Sequence, residues 1–356
     1  MQTQTQEEYA EHSMSHETAP VKIMQIGTGF WASKVLLSAV HFDLFTLLSE
    51  QQSLSAADVK KKLQFQCADR QVFDYLDALV ALGFLKRKGL LESAKYSNTE
   101  HSEMFLDKKK NSYVGGMLKM MNQRLYHFWG NLEQGLTSGK PQNEAKENED
   151  IFSALYNDAD RLSDFLRAMN SLQIGNFIAF AKKFDFSKYT SLTDVGGASG
   201  LLSVMVAKHN PHIKCVSFDL PEVEPIASKT ISKFDMEGKV SLKSGNFFRD
   251  PIPEADVVIM GNILHDWNEE QKLKLMKSAY NAVKKGGVFV AIENIIDRER
   301  KENLFGLMMS LNMLIETGQG FDYTLADFDI WAKKVGFSST TMIPLAGPTS
   351  AAIAYK

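Results

Sequence analysis

The chain has 356 residues, 44% of them hydrophobic and 23% charged, the balance of an ordinary globular protein, which excludes disordered and fibrous classes. Lys and Arg number 40 against 43 Asp and Glu, a net charge of −3, so neither nucleic acid nor an anionic membrane surface is expected as a partner held by bulk charge. At roughly 150 residues per domain, the length suggests about two domains.

Cys67 and Cys215 lie far apart and offer neither a disulfide framework nor zinc-type spacing, which suits a reducing cytoplasm. Residues 1–20 are polar, without the basic start and apolar centre of a signal peptide, and read as a tail. No unbroken apolar run reaches the roughly 18 residues of a membrane helix, so no membrane partner is expected. No internal repeat is visible.

The first half reads as successive helices. Residues 21–48 carry Ile23, Ile26, Phe30, Val35, Leu36, Val40 and Leu44 at helical spacing. A second helix starts at Ser55, a plausible N-cap with Asp58 at the N3 position. A third covers 69–85, and short extended pieces around a turn follow at 86–97. Helix, turn, helix and small hairpin make a winged-helix pattern, which suggests DNA binding. Between residues 56 and 110, however, 11 basic residues face 8 acidic ones. That small excess, and the frequent reuse of such folds as dimer interfaces, favour dimerisation. Met117, Met120 and Met121 lie together in a helical stretch and read as gap-filling core.

Residues 137–150 read as a polar loop or linker and 151–184 as helix. From Tyr189 onward, β-rich runs at 191–197, 214–219, 255–260 and 287–293 alternate with helical stretches at 201–208, 269–284 and 324–335. This alternation predicts a doubly wound α/β domain, a parallel sheet with helices on both faces.

The sharpest motif is Asp194-Val-Gly-Gly-Ala-Ser-Gly200, between the first strand and a helix. Gly196 and Gly197 allow a tight turn and close approach of backbone to a ligand. Asp219 ends the next strand, where a carboxylate can accept from a ribose diol. The spacing is not the G-x-G-x-x-G of nicotinamide sites, and Gly200 is followed by Leu201 rather than the Lys of a phosphate loop. A nucleoside without phosphates fits better. In Gly245-Asn246-Phe247-Phe248, a polar side chain could meet an adenine edge and a ring could stack on its face. His265 follows the fourth strand in Ile263-Leu-His-Asp-Trp267. Imidazole titrates near working pH and suits a general base. The sequence shows no His/carboxylate cluster of metal-ligand spacing, so no metal is expected.

These residues carry a resemblance. In order, DVGGASG, FDLP, GNFF, ILHDW, KKGG, IEN and SLNML resemble the class I S-adenosylmethionine-dependent small-molecule O-methyltransferases of the caffeate and acetylserotonin type. The similarity covers 151–356 well and the helical half more loosely. It implies a Rossmann-like S-adenosylmethionine-binding domain at 187–356, a helical connector at 116–186, and a winged-helix-like dimerisation domain at 21–115 that forms a homodimer. It further implies a small aromatic acceptor, S-adenosyl-L-homocysteine as product, and His265 as base. Glu293, at the end of its strand, would hold the imidazole; Asp322 is the nearest match to a second family acid. Asp266 would fix backbone near the donor.

For donor binding, Gly196, Gly197, Asp219, Leu220, Gly245, Asn246, Phe247 and Asn262 are the corresponding positions. Asn246 stands where the family usually has Asp. At Asn262 the acetylserotonin branch has Arg, and the caffeate branch has Lys one residue earlier, at Gly261 here. The acceptor pocket would draw on Phe165, Met169, Asn312, Met313 and Glu316, with Glu316 suggesting an acceptor that carries a donor or a positive amine. Two other outcomes stay open: C- or N-methylation on the same scaffold, and a non-catalytic ligand-binding regulator built on the winged helix.

Overall fold

The computed structural model of the protein describes residues 20–110, 112–144 and 159–356. Most of the expected tail, residues 145–150 of the linker, and the expected helix start at 151–158 lie outside them. The chain divides into two compact units between Asn122 and Gln123, within a π-helical turn at Met121–Leu125.

The first unit holds α1 (Val21–Gly27), α2 (Gly29–His41), α3 (Leu44–Gln51), α4 (Ala56–Lys62), α5 (Asp69–Ala81), β1 (Leu85–Lys88), β2 (Lys95–Asn98), α6 (Glu100–Phe105) and α7 (Gly115–Met120). Ser55 caps α4 in a reciprocal box with Asp58, as its sequence suggests. The helix expected over 21–48 is instead three helices. Gly27-Thr28-Gly29 weakens the first junction, since glycine is a poor helix former. At the second, Asp43 takes φ +53°, a left-handed conformation that Asp tolerates better than most residues; Lys108 and Lys119 hold its carboxylate at 2.6 and 3.0 Å.

Leu44, Phe45, Leu48, Val59, Leu76, Leu79 and Tyr96 form the core of this unit. β1 and β2 pair antiparallel with Leu85 opposite Asn98, which completes the helix–helix–hairpin pattern. Ile23, Ile26 and Trp31 are 75%, 74% and 62% exposed, so their apolar stripe faces out of the unit. By length and average composition, the segment Val21–His41 could also cross a membrane. A scan for unbroken apolar runs misses this because Lys22, Gln25 and Lys34 interrupt the segment.

The second unit contains α8 (Leu132–Ser138), α9 (Ala159–Lys183), β3 (Ser191–Val195), α10 (Leu201–His209), β4 (Lys214–Asp219), α11 (Glu224–Lys233), β5 (Val240–Ser244), β6 (Ala255–Gly261), α12 (Glu269–Ala282), β7 (Val283–Glu293), α13 (Leu304–Glu316), α14 (Leu325–Val335), β8 (Ser339–Pro344) and β9 (Ser350–Tyr355). Its seven-stranded sheet runs β5-β4-β3-β6-β7-β9-β8. Side chains alternate along each strand. Val258, Met260, Phe289 and Ala291 face α12 and α14, whereas Val257, Ile259, Val288, Val290 and Ile292 face α9 and α10.

β3 to β7 are parallel, as expected, but β9 is antiparallel to both β7 and β8. This hairpin, not among the elements expected from sequence, adds an antiparallel edge to the expected parallel sheet. Ser350-Ala-Ala-Ile-Ala-Tyr355 is rich in alanine, a helix former by propensity. The strand forms because both faces are covered, and Ala351, Ala352 and Ala354 are fully buried there. The connections from β3 reverse direction between β4 and β6, which opens a crevice at the carboxyl ends of the central strands.

Candidate active site

The glycine turn after β3 lies in that crevice. Gly196, Ala198 and Gly200 have φ of +68°, +50° and +73°, so alternate residues are left-handed. The amide of Gly196 bonds the Phe218 carbonyl at 2.9 Å, which ties the turn to β4. Space is as restrictive as conformation. A Cβ on Gly197 would stand 2.2 Å from Ser217 Oγ, and one on Gly196 would stand 2.4 Å from Ile263 Cδ1.

Asp219 Oδ2 accepts from the Ala198 amide at 2.8 Å, and Oδ1 accepts from the Leu220 amide at 2.7 Å. Burial pushes its pKa up to about 6, against those two amides. Each oxygen keeps a further lone pair for a ligand hydroxyl. Gly245 donates to the Asp219 carbonyl at 2.8 Å, and a Cβ there would meet the Phe218 ring at 2.5 Å.

The structure brings Gly196, Gly197, Asp219, Leu220 and Gly245 together. Phe247 joins them, since its ring is the next neighbour of a Cβ on Gly196, at 3.8 Å. Edge-on contacts with Phe248 at 5.0 Å and Trp267 at 6.3 Å fix this ring. Asn246 is partly committed to its own turn: Oδ1 accepts from the Phe248 amide at 2.9 Å, and its backbone amide donates to Asp250. Asn262 has φ +53° and donates its amide to the Ile292 carbonyl. Sequence reasoning missed two polar groups here: Ser199 on the turn donates to Asn170 Oδ1 of α9 at 2.6 Å.

The loop after β6 carries His265, which is buried. Glu293 Oε1 accepts from the amides of Ile263 and Leu264 at 3.2 and 3.0 Å. Its other oxygen lies 3.7 Å from His265 Nδ1, and Asp322 Oδ1 lies 3.5 Å from the same nitrogen. Asp266 Oδ1 is 3.6 Å from Nε2, so this side chain faces the imidazole rather than only fixing backbone near the donor. Burial by itself would lower the imidazole pKa; Glu293, then Asp266 and Asp322, more than reverse this and carry it up to about 10. Burial raises Glu293 to about 7, with His265 opposing.

His265, Glu293 and Asp322 form a cluster whose ligand-type atoms all lie within 4.8 Å of one another. Linear spacing shows no such cluster; the fold assembles it from three segments. Among the described residues, His265 Nδ1, Glu293 Oε2 and both Asp322 carboxylate oxygens make no hydrogen bond, an arrangement that favours one shared proton.

The residues expected at the acceptor pocket divide. Phe165 packs beside Leu162, Leu166 and Val223, with Ala198 of the glycine turn in the same cluster. Met169, four residues on, is half-buried, and Met313 is buried. Asn312 and Glu316 already have protein partners. Trp129 Nε1 donates to Asn312 Oδ1 at 2.9 Å. Arg124 Nη2 reaches Glu316 Oε2 at 3.1 Å while the same guanidinium grips Glu144. Arg124 thus already supplies a positive charge to Glu316, the residue expected to meet an acceptor carrying a donor or a positive amine. Glu316 Oε1 remains buried without a hydrogen bond among the described residues.

A family model described as an O-methyltransferase domain matches residues 129–338, and one described as an O-methyltransferase dimerisation domain matches 24–108. The chain is 33% identical over 342 residues to tetracenomycin polyketide synthesis 8-O-methyl transferase TcmO of Streptomyces glaucescens, covering 96% of this chain and 98% of that one. It is 29% identical to N,N-dimethyltransferase OxyT of Streptomyces rimosus, over 88% of this chain and 90% of the relative. The solved human N-acetylserotonin methyltransferase in complex with SAM superposes with a TM-score of 0.87 at 28% identity, covering 96% of this chain and 99% of that chain.

Proposed function

We propose, for a chain that belongs to the O-methyltransferase family, methyl transfer from S-adenosylmethionine to a hydroxyl of a small aromatic acceptor, with His265 taking the hydroxyl proton. The enzyme is an S-adenosylmethionine-dependent methyltransferase. The observation that carries the rest is the convergence of Glu293 and Asp322 on one imidazole nitrogen. Two carboxylates stand on the Nδ1 side and one, Asp266 at 3.6 Å, on the Nε2 side; Nε2, with fewer anions beside it, is the nitrogen that meets the acceptor.

The crevice fits the donor by its chemistry. Asp219 offers lone pairs for a ribose diol, Phe247 a flat ring for adenine, and Gly196 and Gly197 an open backbone path, so these residues would hold it. When bound, S-adenosylmethionine supplies an electrophilic methyl group on a sulfonium. Glu293 holds the loop beneath the imidazole and faces Nδ1 at 3.7 Å. The surrounding carboxylates make His265 a strong proton acceptor, matched to a phenol whose unperturbed pKa is about 10. Phe165, Met169 and Met313 supply apolar lining for the acceptor, and Asn312 and Glu316, held by Trp129 and Arg124, supply acceptor oxygens.

Two named relatives support a polycyclic or indole-type hydroxyl as the acceptor: TcmO is a polyketide 8-O-methyl transferase, and the structural relative acts on N-acetylserotonin. OxyT favours N-methylation as the second reading. The exposed apolar stripe of α1 and α2 supports a homodimer formed through the first unit.

The test begins with calorimetric titration by S-adenosylhomocysteine, where micromolar binding lost in Asp219→Ala is expected. A screen of phenolic and amine acceptors follows, with mass spectrometry of the products. An O-methyl ether supports the proposal; N-methyl or C-methyl products alone overturn it.

A further inference from the structure

Lys272 on α12 is fully buried. A lysine tolerates that only where its ammonium finds partners. Nζ donates to the Trp267 carbonyl and stands 3.5 Å from the ring centroid of Phe321, with Tyr323 at 5.9 Å and Trp331 at 6.0 Å. Two of the segments it touches matter for the chemistry. Trp267 closes the loop that carries His265 and Asp266, and Phe321 and Tyr323 flank Asp322. The same two segments meet at Gly320, where a Cβ would come within 2.5 Å of the His265 carbonyl oxygen and 2.6 Å of that of Asp266. Base and second acid thus lie on separate stretches of chain, which a glycine contact and a buried cation hold face to face.

The charge balance points the same way. Glu293, Asp266 and Asp322 all face His265, so one imidazolium is surrounded by three carboxylates, short of positive charge for a buried cluster. The charges of Glu293, Asp322, Asp266 and Glu269 all act on Lys272. Burial draws its pKa down to about 8, and those carboxylates oppose the fall.

We propose that Lys272 is a positioning residue for methyl transfer: its ammonium holds the His265 loop against the Asp322 segment and offsets the carboxylates around the imidazole. The inference rests on the reading of His265 as the base. Replacement by methionine keeps an unbranched stem among the rings and removes the charge. Without that charge, the carboxylates repel one another and the cluster takes up its proton at higher pH. Arginine keeps the charge and stacks on an aromatic face.

The experiment follows the Glu293 carboxyl by carbon NMR in the full chain bound to S-adenosylhomocysteine, with the signal assigned by its loss in Glu293→Gln. In Lys272→Met the Glu293 midpoint rises from near 7 by about one pH unit, tenfold in proton affinity. It returns toward wild type in Lys272→Arg. On the acceptor found by the screen, kcat falls about tenfold near neutral pH while KM for the donor holds. An unchanged Glu293 midpoint in a Lys272→Met protein that binds S-adenosylhomocysteine overturns the proposal. Should that variant not bind it, Lys272→Gln, which also removes the charge and keeps a donor for the Trp267 carbonyl, takes its place with the same expected direction and the same overturning result. Full activity in His265→Ala would instead sink the base reading, so the two failures are distinguishable.

Discussion

One carboxylate, Glu293, faces His265 and holds the backbone beneath it: Oε2 lies 3.7 Å from Nδ1, while Oε1 takes the amides of Ile263 and Leu264. The loop that carries the imidazole is thereby tied to the end of β7. The carboxylate that anchors this loop is also the one that raises the imidazole's proton affinity most.

That link sets the pH dependence. As the proposed base, His265 must be neutral to accept a proton, and its carboxylate neighbours raise its pKa to about 10. The neutral fraction therefore grows as pH rises, and kcat/KM should climb about tenfold per unit from neutrality toward the imidazole pKa. Glu293→Gln removes the largest of those carboxylate influences, so the limb should move to lower pH. A profile that stays flat above pH 7 in the wild-type enzyme would exclude His265 as the base.

The glycine turn makes a second, purely steric prediction. Gly197→Ala puts a Cβ 2.2 Å from Ser217 Oγ, an overpacking that costs about 1–3 kcal/mol. Calorimetry should show S-adenosylhomocysteine affinity falling at least tenfold. Gly238→Ala, where a Cβ meets open space, should bind as wild type does.

Arg124 and Glu316 are 192 residues apart in sequence and 3.1 Å apart in space. Arg124→Met leaves the Glu316 carboxylate largely buried without its main partner, a loss of about 3 kcal/mol in chemical denaturation. Replacing Glu316 by Leu as well should recover most of it. Glu316→Gln should raise the Michaelis constant for the acceptor; an unchanged value removes Glu316 from the acceptor site.

The exposed stripe on α1 and α2 predicts association. Ile26→Glu combined with Phe30→Glu should convert a dimer to monomer in light scattering, because burying two carboxylates in an apolar contact costs several kcal/mol (about 2 or more each). A dimer that survives the double substitution places the interface elsewhere.

What the sequence by itself determined is local. Strand alternation, the Ser55–Asp58 cap, the left-handed glycine turn and the acid that closes β4 each depend on a few consecutive residues, whose conformational demands can be read in place. His265, after β6, and Glu293, the last residue of β7, stood out as positions at the carboxyl edge of one sheet, and the resemblance gave them their expected roles. Asp322 was only the nearest match in sequence, since the loop Gly318-Gln-Gly-Phe321 before it fits the family pattern poorly; its nearness to His265 appears when Gly320 lets that loop lie against the His265 backbone. Lys272 resembles any helix-surface lysine until the aromatic rings close over it. The break at Asp43, the antiparallel β8–β9 pair and the Arg124–Glu316 bridge were likewise decided by tertiary contacts. In each, burial or charge compensation from a distant segment outweighed the local propensity, and such terms exist only once the chain has folded.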